Sequence, residues 1–136
     1  SFLDVHGTYI HEKSDVGATF LAGGAANRNN HLNTFKLDST YHWSKNKYTA
    51  TGAIFSTSGN ADPLLYAPGA TTGSNNGSPN TSGYIAQLAY WPIQNIDLNV
   101  NYTGYTKFNG ARTNYDGANR NASDNGTVYV ALWLNF

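Results

Sequence analysis

Apolar and polar residues alternate along most of this chain, and the alternation is strictest at its end. Val128, Val130, Leu132, Leu134 and Phe136 share one parity, while Thr127, Tyr129, Ala131, Trp133 and Asn135 share the other. A period of two puts these sets on opposite faces of a β-strand over 127–136. The same period predicts six more strands. The first, 2–12, sets Leu3, Val5, Gly7 and Tyr9 against Asp4, His6, Thr8 and Ile10. The second, 16–25, sets Val16, Ala18, Phe20 and Ala22 against Gly17, Thr19, Leu21 and Gly23, although Leu21 interrupts the alternation and Gly23-Gly24 loosens its end. The third, 31–43, sets Phe35, Leu37, Tyr41 and Trp43, with Ser39 among them, against Thr34, Lys36, Asp38, Thr40 and His42. The fourth, 47–58, sets Tyr48, Ala50, Gly52 and Ile54 against Lys47, Thr49, Thr51 and Ala53. The fifth, 83–91, opposes Tyr84, Ala86, Leu88 and Tyr90 to Ile85, Gln87 and Ala89; the sixth, 96–108, opposes Ile96, Leu98, Val100 and Tyr102 to Asp97, Asn99, Asn101 and Thr103. The expected fold is all-β and antiparallel.

Composition says what kind of sheet this is. Only 12% of residues are charged, against roughly 25% in soluble globular proteins. Asn, Thr, Ser, Gly and Tyr take the place of the missing charge. One apolar face and one polar, uncharged face suit a transmembrane β-barrel, with lipid outside and a wet lumen inside. No run approaches the apolar length of a transmembrane helix. Zero net charge argues against a nucleic-acid partner. The chain has no cysteine, hence no disulfide, no zinc–thiolate site and no Cys-x-x-Cys-His haem attachment; no cofactor is expected in it.

The connections alternate in length: short at 13–15, 44–46 and 92–95, longer at 26–30, 59–82 and 109–126. Outer-membrane barrels have short periplasmic turns and long outer loops. With the C-terminus in the periplasm, 59–82 and 109–126 become outer loops and the three short turns periplasmic. Tyr9, Tyr41, Trp43, Tyr48, Tyr90, Trp91 and Phe136 then gather at the periplasmic strand ends. Phe55, Tyr84, Tyr102, Tyr105 and Phe108 gather at the outer ends, so the two sets read as aromatic girdles. Seven strands leave a difficulty, because single-chain bacterial barrels have an even number of at least eight. The expectation is the C-terminal part of a larger barrel, completed by upstream strands or by another chain.

The run Val128 to Phe136, with its alternation and terminal aromatic, resembles the last strand of Gram-negative outer-membrane β-barrels. That resemblance implies a bacterial outer-membrane location, contact with lipid on Val128, Val130, Leu132, Leu134 and Phe136, and recognition of this strand by the assembly machinery. Gly7-Thr8-Tyr9-Ile10-His11-Glu12, Gly23-Gly24-Ala25-Ala26-Asn27, Lys107-Phe108-Asn109-Gly110-Ala111 and Asn114-Tyr115-Asp116-Gly117 resemble the C-terminal halves of proteobacterial cytochrome-associated outer-membrane proteins. This implies a cytochrome as a partner.

Candidate chemistry is sparse. Asp4, His6, Lys36, Asp38, His42, Asp97 and Lys107 fall on the parity expected to face the lumen, as do Glu12 and Lys47. The four histidines lie without metal-ligand spacing. The mixed charges suit cross-strand ion pairs better than ion selectivity. A carboxylate pair of Asp4 and Asp38 has nothing in the sequence to raise its pKa. Ser39 and His42 have opposite parity, which excludes a Ser–His hydrolase built on that pair. Asp116, Asn119, Asn121, Asp124 and Asn125 are oxygen-rich but lack the EF-hand order of ligands. No enzyme is expected. The leading expectation is a porin-like channel, or a sleeve for solutes or an electron-transfer partner. The alternatives are a surface-interaction protein using its long loops, and a soluble lipocalin-like binder.

Overall fold

A computed structural model describes residues 1–66 and 73–135. Six antiparallel strands form one sheet in chain order: β1 (Phe2–Asp15), β2 (Asn29–Trp43), β3 (Tyr48–Gly59), β4 (Thr81–Ile93), β5 (Ile96–Lys107) and β6 (Thr127–Leu134). Each strand pairs only with its sequence neighbours, and the sheet does not close: among the described residues the outer edges of β1 and β6 have no strand partner. Phe136 lies outside the described residues.

The segment 16–25 is not a strand. It carries a short helix, α1 (Gly17–Leu21), inside the connection between β1 and β2. The cause is local. The Asp15 carboxylate accepts the Gly17 N–H at 2.9 Å. At the other end Gly23 adopts φ +76, and the Gly23 and Gly24 N–H groups bond back to the carbonyls of Phe20 and Thr19. That is a left-handed helix stop, which glycine makes at no steric cost. The broken parity at Leu21 and the Gly23-Gly24 pair were the sequence signals of it.

Losing that strand changes the topology. β1 pairs directly with β2 from Phe2↔His42 to Asp15↔Asn29, so no turn exists at 13–15. The long connections 16–28, 60–80 and 108–126 all lie at one end of the sheet, and the short turns 44–47 and 94–95 at the other. β1 therefore starts at the turn end, the reverse of the direction that seven strands implied. The turn over Ser44, Lys45 and Asn46 holds all three residues at positive φ.

Burial alternates along the central strands in the sense opposite to a soluble sheet. In β3, Thr49 and Ala53 are buried while Tyr48, Gly52 and Ile54 are exposed. In β4, Gly83 and Ala89 are buried while Tyr84, Ala86, Leu88 and Tyr90 are exposed, and in β5 Asn99 is buried between exposed Leu98 and Val100. The covered face is the polar one, and the open face is the apolar one.

Candidate functional site: two faces and a loop platform

Strand register carries the apolar face across the whole sheet. Leu3 pairs with Tyr41, Tyr41 with Ala50, Ala50 with Leu88, Leu88 with Val100 and Val100 with Val130. Cross-strand partners point to the same side. Val5, Tyr9, Leu37, Ile54, Leu98, Val128, Leu132 and Leu134 belong to the same face and are exposed, several by more than half. No charged residue of β2 to β6 stands among them. A soluble monomer rarely exposes an apolar patch beyond a few hundred Å².

An aromatic belt crosses this face at the turn end. Tyr41, Trp43, Tyr48 and Tyr90 stack in succession, with ring centroids 5.8, 5.6 and 4.7 Å apart. Of two other aromatics expected with them, Tyr9 lies at another depth and Trp91 on the other face. Tyr9 is on the apolar face but pairs with Phe35, further toward the loop end, where its hydroxyl donates to Asn33 Oδ1 at 2.9 Å. Trp91 has the polar parity and lines a cavity of about 510 Å³ at the turn end, with Phe2, His42, Thr49 and Ile93. The direct β1–β2 pairing explains Tyr9: without a strand over 16–25, β1 runs the other way. At the loop end, Tyr84 and Tyr102 lie on the apolar face, 6.0 Å apart. Phe55 and Tyr105 instead point to the polar side, where Phe55, Tyr105, Phe108 and the buried Tyr115 form a chain of edge contacts under the loops.

The polar face gathers Asp4, His6, Lys36, Asp38, His42 and Asp97. His42 Nε2 lies 3.0 Å from Asp4 Oδ2, and Phe2 stacks on the His42 ring at 4.2 Å. Lys36 Nζ reaches Asp38 Oδ1 at 3.5 Å along the same strand, and Asp38 pairs in register with His6. Thr34–Thr57 and Thr40–Thr51 hydroxyls bond across β2 and β3 at 2.9 and 2.8 Å. Asp97 accepts from Asn99 Nδ2 at 3.3 Å, while its Oδ1 is buried with no partner among the described residues. Lys107 stands at the β4–β5 bulge, opposite Ser82. Asp4 and Asp38 thus each have a basic partner of their own. Ser39 and His42 lie on opposite faces.

The long connections lock together at the loop end, a feature that sequence reasoning missed. Fully buried Asp62 accepts the N–H groups of Ala26, Asn27, Leu64 and Leu65 at 2.8, 3.0, 3.2 and 3.0 Å and Asn30 Nδ2 at 3.1 Å. Burial alone would raise its pKa. The donors from Ala26, Asn27, Leu65 and Asn30 outweigh that and hold the carboxyl well below its ordinary value. Loops 60–80 and 108–126 are tied by the Asn75 N–H to the Tyr115 carbonyl, the Gly110 N–H to the Asn80 carbonyl and Ser74 Oγ to the Asn109 carbonyl, each 2.7 Å. Gly110 takes φ +91 there against Asn76, a position closed to other side chains. The carboxylates of loop 108–126 are engaged internally. Asp116 binds Arg120 Nε at 2.6 Å, a hydrogen bond that lowers the Asp116 pKa, and Asp124 accepts the Asn121 N–H at 2.6 Å in a capping box. Any signal of the platform in the sequence lay in the Asn and Asp density of these loops.

No protein-family model, no curated protein and no solved structure matches this chain.

Proposed function

We propose that this chain forms part of the wall of a bacterial outer-membrane β-barrel, a porin-like channel or a sleeve for solutes or a partner protein. The observation that carries the reading is the inversion of the sheet. Its apolar face is exposed across the sheet, and in β3 to β5 the polar face is the more covered of the two, an arrangement that suits a barrel wall between lipid and lumen. The belt of Tyr41, Trp43, Tyr48 and Tyr90 supports it, standing where an interfacial girdle would lie. So does the segregation of long loops from short turns. In this reading the turns and C-terminus face the periplasm and the loops face outward. Val128, Val130, Leu132 and Leu134 face lipid, and the alternating run that they begin presents the assembly signal. Backbone groups on the free edges of β1 and β6 need strand partners in a bilayer, from elsewhere in the polypeptide or from another chain. A cytochrome is the partner that the resemblance in the sequence suggests for a sleeve.

A second reading, a surface-interaction protein, is favoured by the loop platform. The tied parts of the connections, 16–28, 60–66, 73–80 and 108–126, offer a set surface. Conductance separates the two. In planar bilayers a channel gives unit steps that depend on salt. A plugged or narrow barrel gives none, while still requiring detergent for solubility. A monodisperse protein in plain buffer would overturn both and favour a lipocalin-like binder.

A further inference from the structure

We propose that the cavity at the turn end binds a small aromatic carboxylate on the polar face of the sheet. The inference rests on the channel reading and names a class of solute for it. The cavity measures about 510 Å³, within the roughly 300–1,000 Å³ of small-molecule sites, which are mostly apolar with a few placed polar groups. Strand register assembles its walls. Phe2 pairs with His42 and His42 with Thr49, so these three share the polar face. The Trp91 N–H donates to the Lys47 carbonyl at 2.8 Å, one rung beyond Tyr48↔Tyr90, which brings Lys47 and Trp91 to that face together.

The walls are rings. Phe2 stacks on His42 with 4.2 Å between centroids and 10° between planes. Trp91 stands on β4, two strands from His42 on β2, with the small, buried Thr49 of β3 between them. Two strand spacings come to roughly 9.6 Å. A ring held between two others needs about 7–8 Å, twice a contact of about 3.5–4.0 Å. The slot therefore has room for one flat ring and is too narrow for a stacked pair.

The open side is cationic. Lys45 and Lys47 line the same cavity and are exposed. Among the described residues neither has a carboxylate within ion-pair distance. Asp4, which touches the cavity wall through His42, is engaged by His42 Nε2 at 3.0 Å. Lys45 also holds φ +56, a left-handed conformation uncommon for a long side chain. Backbone kept in such a region clusters at ligand clamps. Two ammonium groups beside ring walls select an anion with a flat apolar body. Inorganic phosphate would gain nothing from Phe2, Trp91 and Ile93, and the lysines would repel an aromatic cation. A carboxylate can reach Lys45 or Lys47 while its ring lies against Trp91. With the turns toward the periplasm, the site stands at the inner mouth of the lumen.

The three tryptophans give three indole N–H resonances, which makes the test internal. Trp91 lines the cavity, Trp43 lies on β2 with the apolar parity and Trp133 on β6. Isotope-labelled protein in detergent is titrated with sodium benzoate. The expected result is a saturable shift of the Trp91 indole and Lys47 amide signals, with Trp43 and Trp133 unmoved. Benzylamine, benzyl alcohol and inorganic phosphate should each bind more weakly than benzoate. Lys45→Gln with Lys47→Gln should weaken benzoate about 2- to 30-fold, since one exposed ion pair is worth about 1.4- to 5-fold. Lys107→Gln, at the loop end, should leave it unchanged. The proposal is overturned if benzoate moves no signal, moves Trp43 and Trp133 as much as Trp91, or binds the double variant as tightly. Equal binding of benzylamine, benzyl alcohol or phosphate overturns it too. If the double variant does not fold, the four-ligand comparison on the unsubstituted protein decides. Planar-bilayer conductance is read separately. Unit steps without benzoate binding would remove the site and leave the channel, whereas benzoate binding without steps would remove the channel and leave the site.

Discussion

Replacing Asp62 with Ala tests whether the long connections behave as one platform. The carboxylate accepts five N–H groups between 2.8 and 3.2 Å, three from the β1–β2 connection or the start of β2 and two from the β3–β4 connection. A buried donor left without an acceptor costs about 1–3 kcal/mol. Water entering the space vacated by the side chain satisfies some of the five. The cross-loop tie through Ala26 and Asn27 is the least replaceable part, because both point into a site where Asp62 is 0% exposed. Two donors give a local loss of about 2–6 kcal/mol, or an opening frequency raised at least roughly 30-fold. Hydrogen exchange reads this directly. The amides of Ala26 and Asn27 should exchange faster by that factor, while those of Ala53, Ala89 and Asn99 in the central strands stay within about threefold, an allowance for independent opening units. Asp62→Asn keeps one acceptor oxygen and should fall between. The sign of the pH effect follows from the lowered pKa. The stabilisation is fully present above the ordinary value of 3.8 and is lost as pH falls toward the folded value below it. Exchange at 26–27 should therefore be independent of Asp62 titration from pH 5 to 8 and rise only in stronger acid. Unchanged protection in Asp62→Ala, or equal loss in loops and strands, would refute the platform.

Arg at Leu37, Val100 or Leu132 should lower folding free energy in vesicles by about 2–4 kcal/mol near the midplane. Arg at Asp38, Asn101 or Ala131 should cost less, and equal losses would reject the assignment of faces. Protease added to intact cells should cut within 60–80 or 108–126 before 44–47 or 94–95; the opposite order would invert the topology. Arg120→Gln should loosen loop 108–126, because the buried Asp116 loses the guanidinium it binds at 2.6 Å. Faster exchange at Ala118 and Arg120 checks this. Tyr48→Ala should break the belt between Trp43 and Tyr90 and lower folding yield in bilayers more than Thr49→Ala, measured by heat-modifiable gel mobility.

The sequence was legible where alternation persisted without interruption. The five strands over 31–43, 47–58, 83–91, 96–108 and 127–136 lie where alternation placed them, apart from their ends, and the strand over 2–12 extends to Asp15. A half-covered strand writes its two environments into alternate residues, so local sequence suffices. The segment 16–25 misled because residues 16–20 alternate equally well in a helix too short to show its own period. What decided it were Asp15 as a side-chain acceptor and Gly23 as a left-handed stop, both point signals rather than periodic ones. That one error reversed β1 and moved Tyr9 away from the belt. Trp91 stands at the expected turn end but on the other face from Tyr90, because adjacent strand residues point to opposite sides. Loop ties such as Asp62 to Ala26 join residues 36 apart, and no local pattern encodes such a contact.

The distribution of buried residues bears on where the folding energy comes from. Among the described residues the buried hydrophobic side chains are Ala25, Ala53, Ala89, Tyr115 and Ala122, and the largest fully buried ones are Tyr115, Asp62 and Ser74. Four alanines and one tyrosine are not a hydrophobic core. Burying one Val, Leu or Phe contributes about 1.5–3 kcal/mol, and here most of those on the strands stand exposed on the apolar face. In water the sheet would have hydrogen-bonded ladders and polar ties but almost none of the apolar burial that opposes chain entropy. In a bilayer the same face is solvated by hydrocarbon, and each ladder bond replaces an unsatisfied backbone group that costs several kcal/mol there. The sheet then needs no large apolar interior, its inner side chains are free to be Thr, Asn and Asp, and its order at the loop end comes from hydrogen bonds together with the one small aromatic cluster of Phe55, Tyr105, Phe108 and Tyr115. This account stands or falls on one comparison. Unfolding from lipid vesicles should be cooperative and require strong denaturant, whereas the protein held in buffer without amphiphile should show strand content but no cooperative transition. A sharp thermal transition in plain buffer would require a core that the buried residues do not supply.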